Sequence, residues 1–299
     1  MTWLLWLGAC LVALAFAAMG LTAFGERRWA GEVTALQARL EAGRLDGKPG
    51  ASSLPTRYDP RELEGLPPPV QRYFRAVLKD GQPIITAVTI DIAGTFNMSP
   101  SGEQWKPFTS RQRVVTRRPG FLWDATIAML PGVTVRVVDS YIAGNGLLRA
   151  TVQGLFTMAD QRGDGDIARG EFMRWFAEVL WYPTALLPSQ GVRWEAVDDR
   201  SANATLVDGP LSLTLLFRFN DAGLIGLFRA EARGGMVGDK NVIAPWEGVW
   251  SNYQTRDGMQ VPFTGEVAWM RPEGRKPYFI GTVTALAFEF APPDPLGGQ

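Results

Sequence analysis

The chain has no histidine and a single cysteine, Cys10. The first absence removes Ser-His-Asp and Cys-His catalysis, histidine metal ligation and histidine pH switching. The second removes disulfides and, outside the N-terminal segment, cysteine chemistry. Net charge is absent as well, with 30 Lys+Arg balancing 30 Asp+Glu. A chain without a basic excess does not fit a nucleic-acid partner. Any enzyme built here would have to rely on Asp, Glu, Lys, Arg, Tyr or Ser. No fixed-period repeat is visible.

What is present starts at the N-terminus. Residues 3–24, WLLWLGACLVALAFAAMGLTAF, carry no charge. A helix needs ~20 apolar residues to cross a bilayer core. Trp3 and Trp6 at one end and Glu26-Arg27-Arg28-Trp29 after the other suit interfacial aromatics and a charged stop. The run is too long for the apolar core of a cleaved signal and lacks a basic residue before it. Leu7-Gly8-Ala9-Cys10 resembles a lipobox, but the apolar run continues well past Cys10. The expectation is an uncleaved single-pass anchor in contact with a lipid bilayer. Arg27, Arg28, Arg39, Arg44 and Lys48 bias the following domain toward the cytoplasmic face.

The rest is long enough for a large domain. With 46% hydrophobic and 20% charged residues it can form a packed core. Glu26–Glu41 continues the helix with Val33, Leu36 and Leu40 on one side. Gly43–Tyr58 reads as a linker. Leu66-Pro67-Pro68-Pro69 opens a short helix over Val70–Leu78. From Ile84 the period becomes two: Val88, Ile90, Ile92 and Phe96 alternate with Thr89, Asp91, Thr95 and Asn97. Strand-like runs follow at 105–116, 121–129, 133–142 and 147–153, separated by turn residues. A helix is expected over Glu171–Leu180, ended by Trp181-Tyr182-Pro183. Strands resume at 192–197, 204–208, 211–219, 224–233, 246–255, 260–270 and 276–290. Eleven or twelve strands with few helices predict a mainly β, α+β fold: a large curved antiparallel sheet or partly open barrel with helices in its concavity.

Candidate sites follow from this layout. Asp160, Asp164, Asp166 and Glu171 sit in a segment that nearly spells a calcium loop, with Arg162 where a ligand should be. The competing reading is a polar strand-to-helix loop. Arg174 and Glu178 are spaced i,i+4, with Trp175 and Trp181 nearby; they form either a cavity rim or a surface ion pair worth about 0.3–0.5 kcal/mol. Trp246, Trp250 and Asn252 share one face of a strand by alternation, Glu247 faces the other way, and Glu266 and Trp269 follow on the next strand. Tryptophans with a few polar groups line a ligand site or fill a core. Trp123, Asp124 and Arg113 are candidates for the same wall. No catalytic residues and no cofactor are expected.

LPPPVQRYFRAVL at 66–78, PGFLWDA at 119–125, RGEFMRWFAEVLWYPTALLPS at 169–189 and PWEGVWSNYQTRDGMQVPFTGEVAW at 245–269 resemble a widespread family of membrane-anchored proteins that carry a domain of unknown function. The resemblance spans most of residues 62–285, and WYPTALLPS is its most specific part. It brings no catalytic residues. The strand pattern is similar to the half-barrel of the Lol lipoprotein-carrier proteins, which enclose acyl chains between a curved sheet and helices. That resemblance implies an extracytoplasmic domain, against the charge bias.

The expected organisation is an anchor at 1–25, a juxtamembrane helix at 26–43, a linker at 44–61, an antiparallel β domain at 62–290 and a loose tail at 291–299. The expected function is non-catalytic binding of a hydrophobic or lipid-like ligand inside the sheet. A structural or protein-interaction module of the envelope is the alternative. A hydrolase using pairs among Asp124, Asp139, Glu178 and Glu266 is the third reading, and it needs two carboxyls about 5–10 Å apart in an open cleft.

Overall fold

The computed structural model describes residues 2–45, 54–99, 102–237 and 240–292. Residues 46–53 of the expected linker and 293–299 of the expected tail lie outside the described residues. The first element is one unbroken helix, α1 (Thr2–Ala42). A short helix, α2 (Pro68–Val77), precedes six strands: β1 (Ile85–Asn97), β2 (Trp105–Val115), β3 (Gly120–Leu130), β4 (Val133–Ile142), β5 (Asn145–Val152) and β6 (Phe156–Gly163). Helix α3 (Asp166–Ala177) and three 3-10 turns between Val179 and Gln190 follow. The second set is β7 (Arg193–Asp198), β8 (Ser201–Asp208), β9 (Leu211–Phe219), β10 (Ile225–Val237), β11 (Lys240–Arg256), β12 (Met259–Arg271) and β13 (Gly274–Phe290).

All thirteen described strands form one antiparallel sheet, ordered β6-β5-β4-β3-β2-β1-β13-β12-β11-β10-β9-β8-β7. Two meanders are joined where β1 pairs with β13. The segment linking β6 to β7 spans from one edge of the sheet to the other, so α3 and the 3-10 turns cover its inner face. This is the large curved antiparallel sheet that the alternating pattern implied. The strand absent from the sequence reading is β6. Its exposed residues, Phe156 and Met158 among them, give an edge strand little alternation.

Alternation sets the two faces. Val88, Ile90 and Ile92 of β1 point inward to the main core, while Ala87 points outward. Helix α2 starts on three prolines, whose missing donors cost nothing in a first turn. It buries Val70, Tyr73, Phe74 and Val77 at i, i+3, i+4 and i+7. Glycines let the sheet curl. Gly94, Gly281 and Gly265 are register neighbours on β1, β13 and β12. A side chain at Gly94 would overlap the Ile280 carbonyl, and one at Gly265 would lie 2.8 Å from the Trp250 ring. Backbone bends and aromatic rings fold over this row because no Cβ stands in the way.

The outer face is not bare. Residues 3–24 of α1 project away from the sheet, with their large apolar side chains exposed, and this helix is long and apolar enough to cross a membrane. From Gly25 onward α1 lies on the back of the sheet. Trp29, Leu36 and Leu40 pack on Ala87, Val115, Leu122, Val138, Ile142 and Leu147. Polar bonds fix the rotation of the helix: Trp29 Nε1 donates to Asp124 Oδ1 at 2.8 Å, Arg149 pairs with Glu32 at 2.6 Å, and Arg113 pairs with Glu41 at 2.7 Å. The helix therefore runs from the β5–β6 turn, beside Gly25, to the start of β3, beside Leu40.

Candidate functional site

The inner face has two different halves. Under α3 it is filled and carries a buried charge cluster. Arg174 bonds Asp139 at 2.6 Å and Glu178 at 2.8 Å, and Gln112 donates to Glu178 at 2.6 Å. The guanidinium also lies 4.6 Å over the Trp123 ring and 5.1 Å over Phe121. Arg174 is held protonated by Glu178, Asp139 and Glu171 despite its burial. Burial, reinforced by the negative charge of Asp139, pushes the Glu171 carboxyl up to about 8. That burial favours the neutral form of Glu171, which lies one turn of α3 before Arg174. Burial also pushes Asp139 up, with Arg174 opposing it. Asp139 Oδ1, Glu171 Oε2, Ser110 Oγ and Trp123 Nε1 are buried without a hydrogen-bond partner.

Toward the ends of β1–β4 that carry the β1–β2 and β3–β4 connections, the inner face is only half covered. Phe96, Met129, Val137, Val267, Trp269 and Phe279 are partly exposed against the core. Phe96 and Phe279 are register partners, as are Val267 and Phe279. Phe108 lies 5.2 Å from Phe279 and 6.1 Å from Trp123, so the strip is continuous with the filled half. Trp269 stacks on Tyr278 at 6.2 Å, and Phe96 meets Tyr278 edge-on at 5.6 Å.

A cation borders this strip. Arg233 lies 4.0 Å over the Trp246 ring and 6.0 Å from Trp269, and its Nη1 is buried without a hydrogen-bond partner. Trp246 Nε1 donates to the Tyr278 hydroxyl at 3.0 Å. Strict alternation from Phe228 would turn Arg233 outward. A register shift between Ala230 and Arg233 reverses it and pairs Arg233 with Ala244. That shift is not visible in the residue pattern, which is why Arg233 was missed. Phe96 and Phe279 were legible as inward strand residues but not as exposed ones.

The structure divides the residues singled out by sequence. Trp123, Trp175, Trp181, Trp246 and Trp250 are all buried on the inner side. Trp175 donates to the Val115 carbonyl and Trp181 to the Pro262 carbonyl, and Trp181 meets Trp250 edge-on at 4.9 Å. These rings fill the core; among the tryptophans, only Trp269 stands at the half-open strip. The Arg174–Glu178 pair is not a surface pair, since each side chain is only 13% exposed. Arg113 faces outward to Glu41 and Glu289, away from Trp123, because the two differ in strand parity. Asn252 has a φ of 55° within β11 and is exposed, unlike the buried Trp250, while the neighbouring Tyr253 packs against the core. Glu266 is bonded to Arg275, which also pairs with Glu247 at 2.8 Å on the outer face.

The four carboxylates of the calcium-like segment are not brought together. Asp160 pairs with Arg162 at 2.5 Å on β6, Asp164 is exposed before α3, Asp166 opens α3, and Glu171 is buried inside. Among the described residues no group of three or more acidic side chains is placed to hold a metal ion. Of the four hydrolase candidates, Asp139 and Glu178 come together, bonded to one arginine in the filled interior and not in an open cleft. Asp124 and Glu266 lie on the outer face. Two surface depressions, of about 540 and 350 Å³, lie outside the strip, beside Tyr58–Pro60 and beside Arg117–Pro119.

The fold has a similar solved structure, a LolA-superfamily protein from Nitrosomonas europaea, at 10% identity and a TM-score of 0.31 over 75% of this chain and 93% of that one. No curated protein matches the sequence. The family of unknown function DUF6920 matches residues 64–288, nearly the whole sheet with its inner helices. The chain belongs to the DUF6920 family.

Proposed function

We propose that the protein is a membrane-anchored binding protein that holds a lipid-like amphiphile at the half-open end of its curved sheet. Residues 3–24 are the anchor, and residues 62–290 form the binding domain. The carrying observation is the apolar strip of Phe96, Phe279, Val267, Trp269, Met129 and Val137, which faces inward yet stays partly exposed. Inward residues of a packed sheet are normally covered; an uncovered, continuous apolar strip suits an apolar guest. Arg233 at its border supplies a cation for an acidic head group, and its Nη1 lacks a hydrogen-bond partner in the protein.

Native mass spectrometry of the full chain, released from lipid nanodiscs, tests this. The expected result is a lipid-mass adduct that Val137→Trp removes by filling the strip. Arg233→Gln should shift the adduct from acidic toward neutral lipids. Absence of any adduct, or an adduct unchanged by Val137→Trp, rules the reading out.

A further inference from the structure

The open end of the sheet and the exit point of the apolar helix lie at the same level. Gly25, the first buried residue of α1 among those described, meets the β5–β6 turn so closely that a Cβ would overlap the Gln153 carbonyl and lie 2.9 Å from Leu155 Cγ. That turn is tied to the neighbouring β3–β4 turn. Gln153 N donates to the Thr134 carbonyl at 2.9 Å, and Thr134 Oγ1 bonds Gln153 Oε1 at 2.9 Å. Register places the β1–β2 connection beside them, since Asn97 pairs with Trp105 and Phe108 with Ile127. The same ends of β1 and β3 carry Phe96 and Met129 of the half-covered strip.

Beyond Gly25, residues 3–24 extend for about 33 Å at ~1.5 Å per residue, close to the thickness of a bilayer core. The strand ends flanking the turns level with Gly25 expose large apolar side chains: Leu130 of β3 is 67% exposed, and Phe156 and Met158 of β6 are 69% and 58% exposed. Arg27 and Arg28 are exposed within one turn of the exit point, where cations meet acidic head groups.

We infer that the β3–β4 and β5–β6 turns dock on the bilayer that holds α1, with Leu130, Phe156 and Met158 in the head-group region and the open end of the sheet turned toward the lipid. The partner of this surface is the anchor's own membrane, and the ligand would enter from it. The inference rests on the anchoring proposed above and adds an orientation to it.

The test uses the full chain carrying Cys10→Ser and one added cysteine, Leu130→Cys, Phe156→Cys or Asp80→Cys. Asp80 is exposed just before β1, thirteen strand residues from the open end. Each is labelled with the environment-sensitive dye NBD and reconstituted in vesicles of phosphatidylcholine and phosphatidylglycerol. The labels at 130 and 156 should be quenched several-fold by lipid brominated near the head group and little by aqueous iodide, with the reverse at 80. Circular dichroism matching the parent establishes that each variant is folded. Iodide quenching at 130 and 156 equal to that at 80 overturns the inference, even where lipid adducts are found. Lipid-side quenching without any adduct supports the docking and overturns only the ligand reading.

Discussion

Trp29 of α1 donates its indole N–H to Asp124 on the outer face of β3, joining residues 95 apart in the chain. Arg136 completes the contact, 3.2 Å from the Asp124 carboxylate and 5.5 Å over the Trp29 ring. The long apolar helix is thus continuous with the folded domain. Trp29→Phe keeps most of the packing and loses the bond, at a cost of about 1–3 kcal/mol. Trp29→Ala should cost about 3–5 kcal/mol. Urea melts of the full chain in detergent should rank them in that order.

Gly25→Ala should loosen α1 from the sheet although alanine favours a helix by about 1 kcal/mol. The new methyl has no room against Gln153 and Leu155. Faster hydrogen exchange in residues 153–155, with the sheet centre unchanged, is the expected outcome.

Gly248→Ala should destabilise by about 1–3 kcal/mol, because its Cβ would enter the Phe228 ring. Adding Phe228→Leu in the same chain should restore part of the loss. A thermal-melt double-mutant cycle reads the coupling.

Arg174→Met should be among the most damaging single changes. It leaves Asp139 and Glu178 buried together without their cation, at about 3–5 kcal/mol. The triple variant with Asp139→Leu and Glu178→Leu should recover most of that loss, because it removes the stranded charges. Chemical denaturation of the three chains checks the ranking.

Glu171 gives a pH dependence of definite sign. Its carboxyl is pushed up to about 8 by burial, against 4.5 for the free group. Between those values the folded state holds the proton more tightly than the unfolded state. Its contribution to stability is therefore complete below about pH 4.5 and is lost as pH rises through about 8. Glu171→Gln should flatten the stability profile across that window, read from denaturation midpoints at pH 5, 6.5 and 8.

The sheet was legible because alternation in β1, β3 and β4 marks an inward and an outward face, and the inner helices because apolar residues recur at helical spacing. Three things were hidden. The register shift before Arg233 reverses parity, and Asn252 takes a positive φ, without any change of composition. The partner of the Val33, Leu36 and Leu40 stripe is non-local, so its docking on the sheet cannot be seen in the stripe. Exposure of Phe96 and Phe279 depends on where α3 stops covering the interior, and no local pattern encodes that.

The continuity of α1 from Thr2 to Ala42 has a mechanical consequence. A rod pinned to the sheet along its second half has no swivel between its apolar half and the domain. With the first half in a bilayer, as proposed above, whatever slant the bilayer thickness dictates for it would be passed on as a lean of the entire sheet, making membrane composition a lever on how the domain is presented.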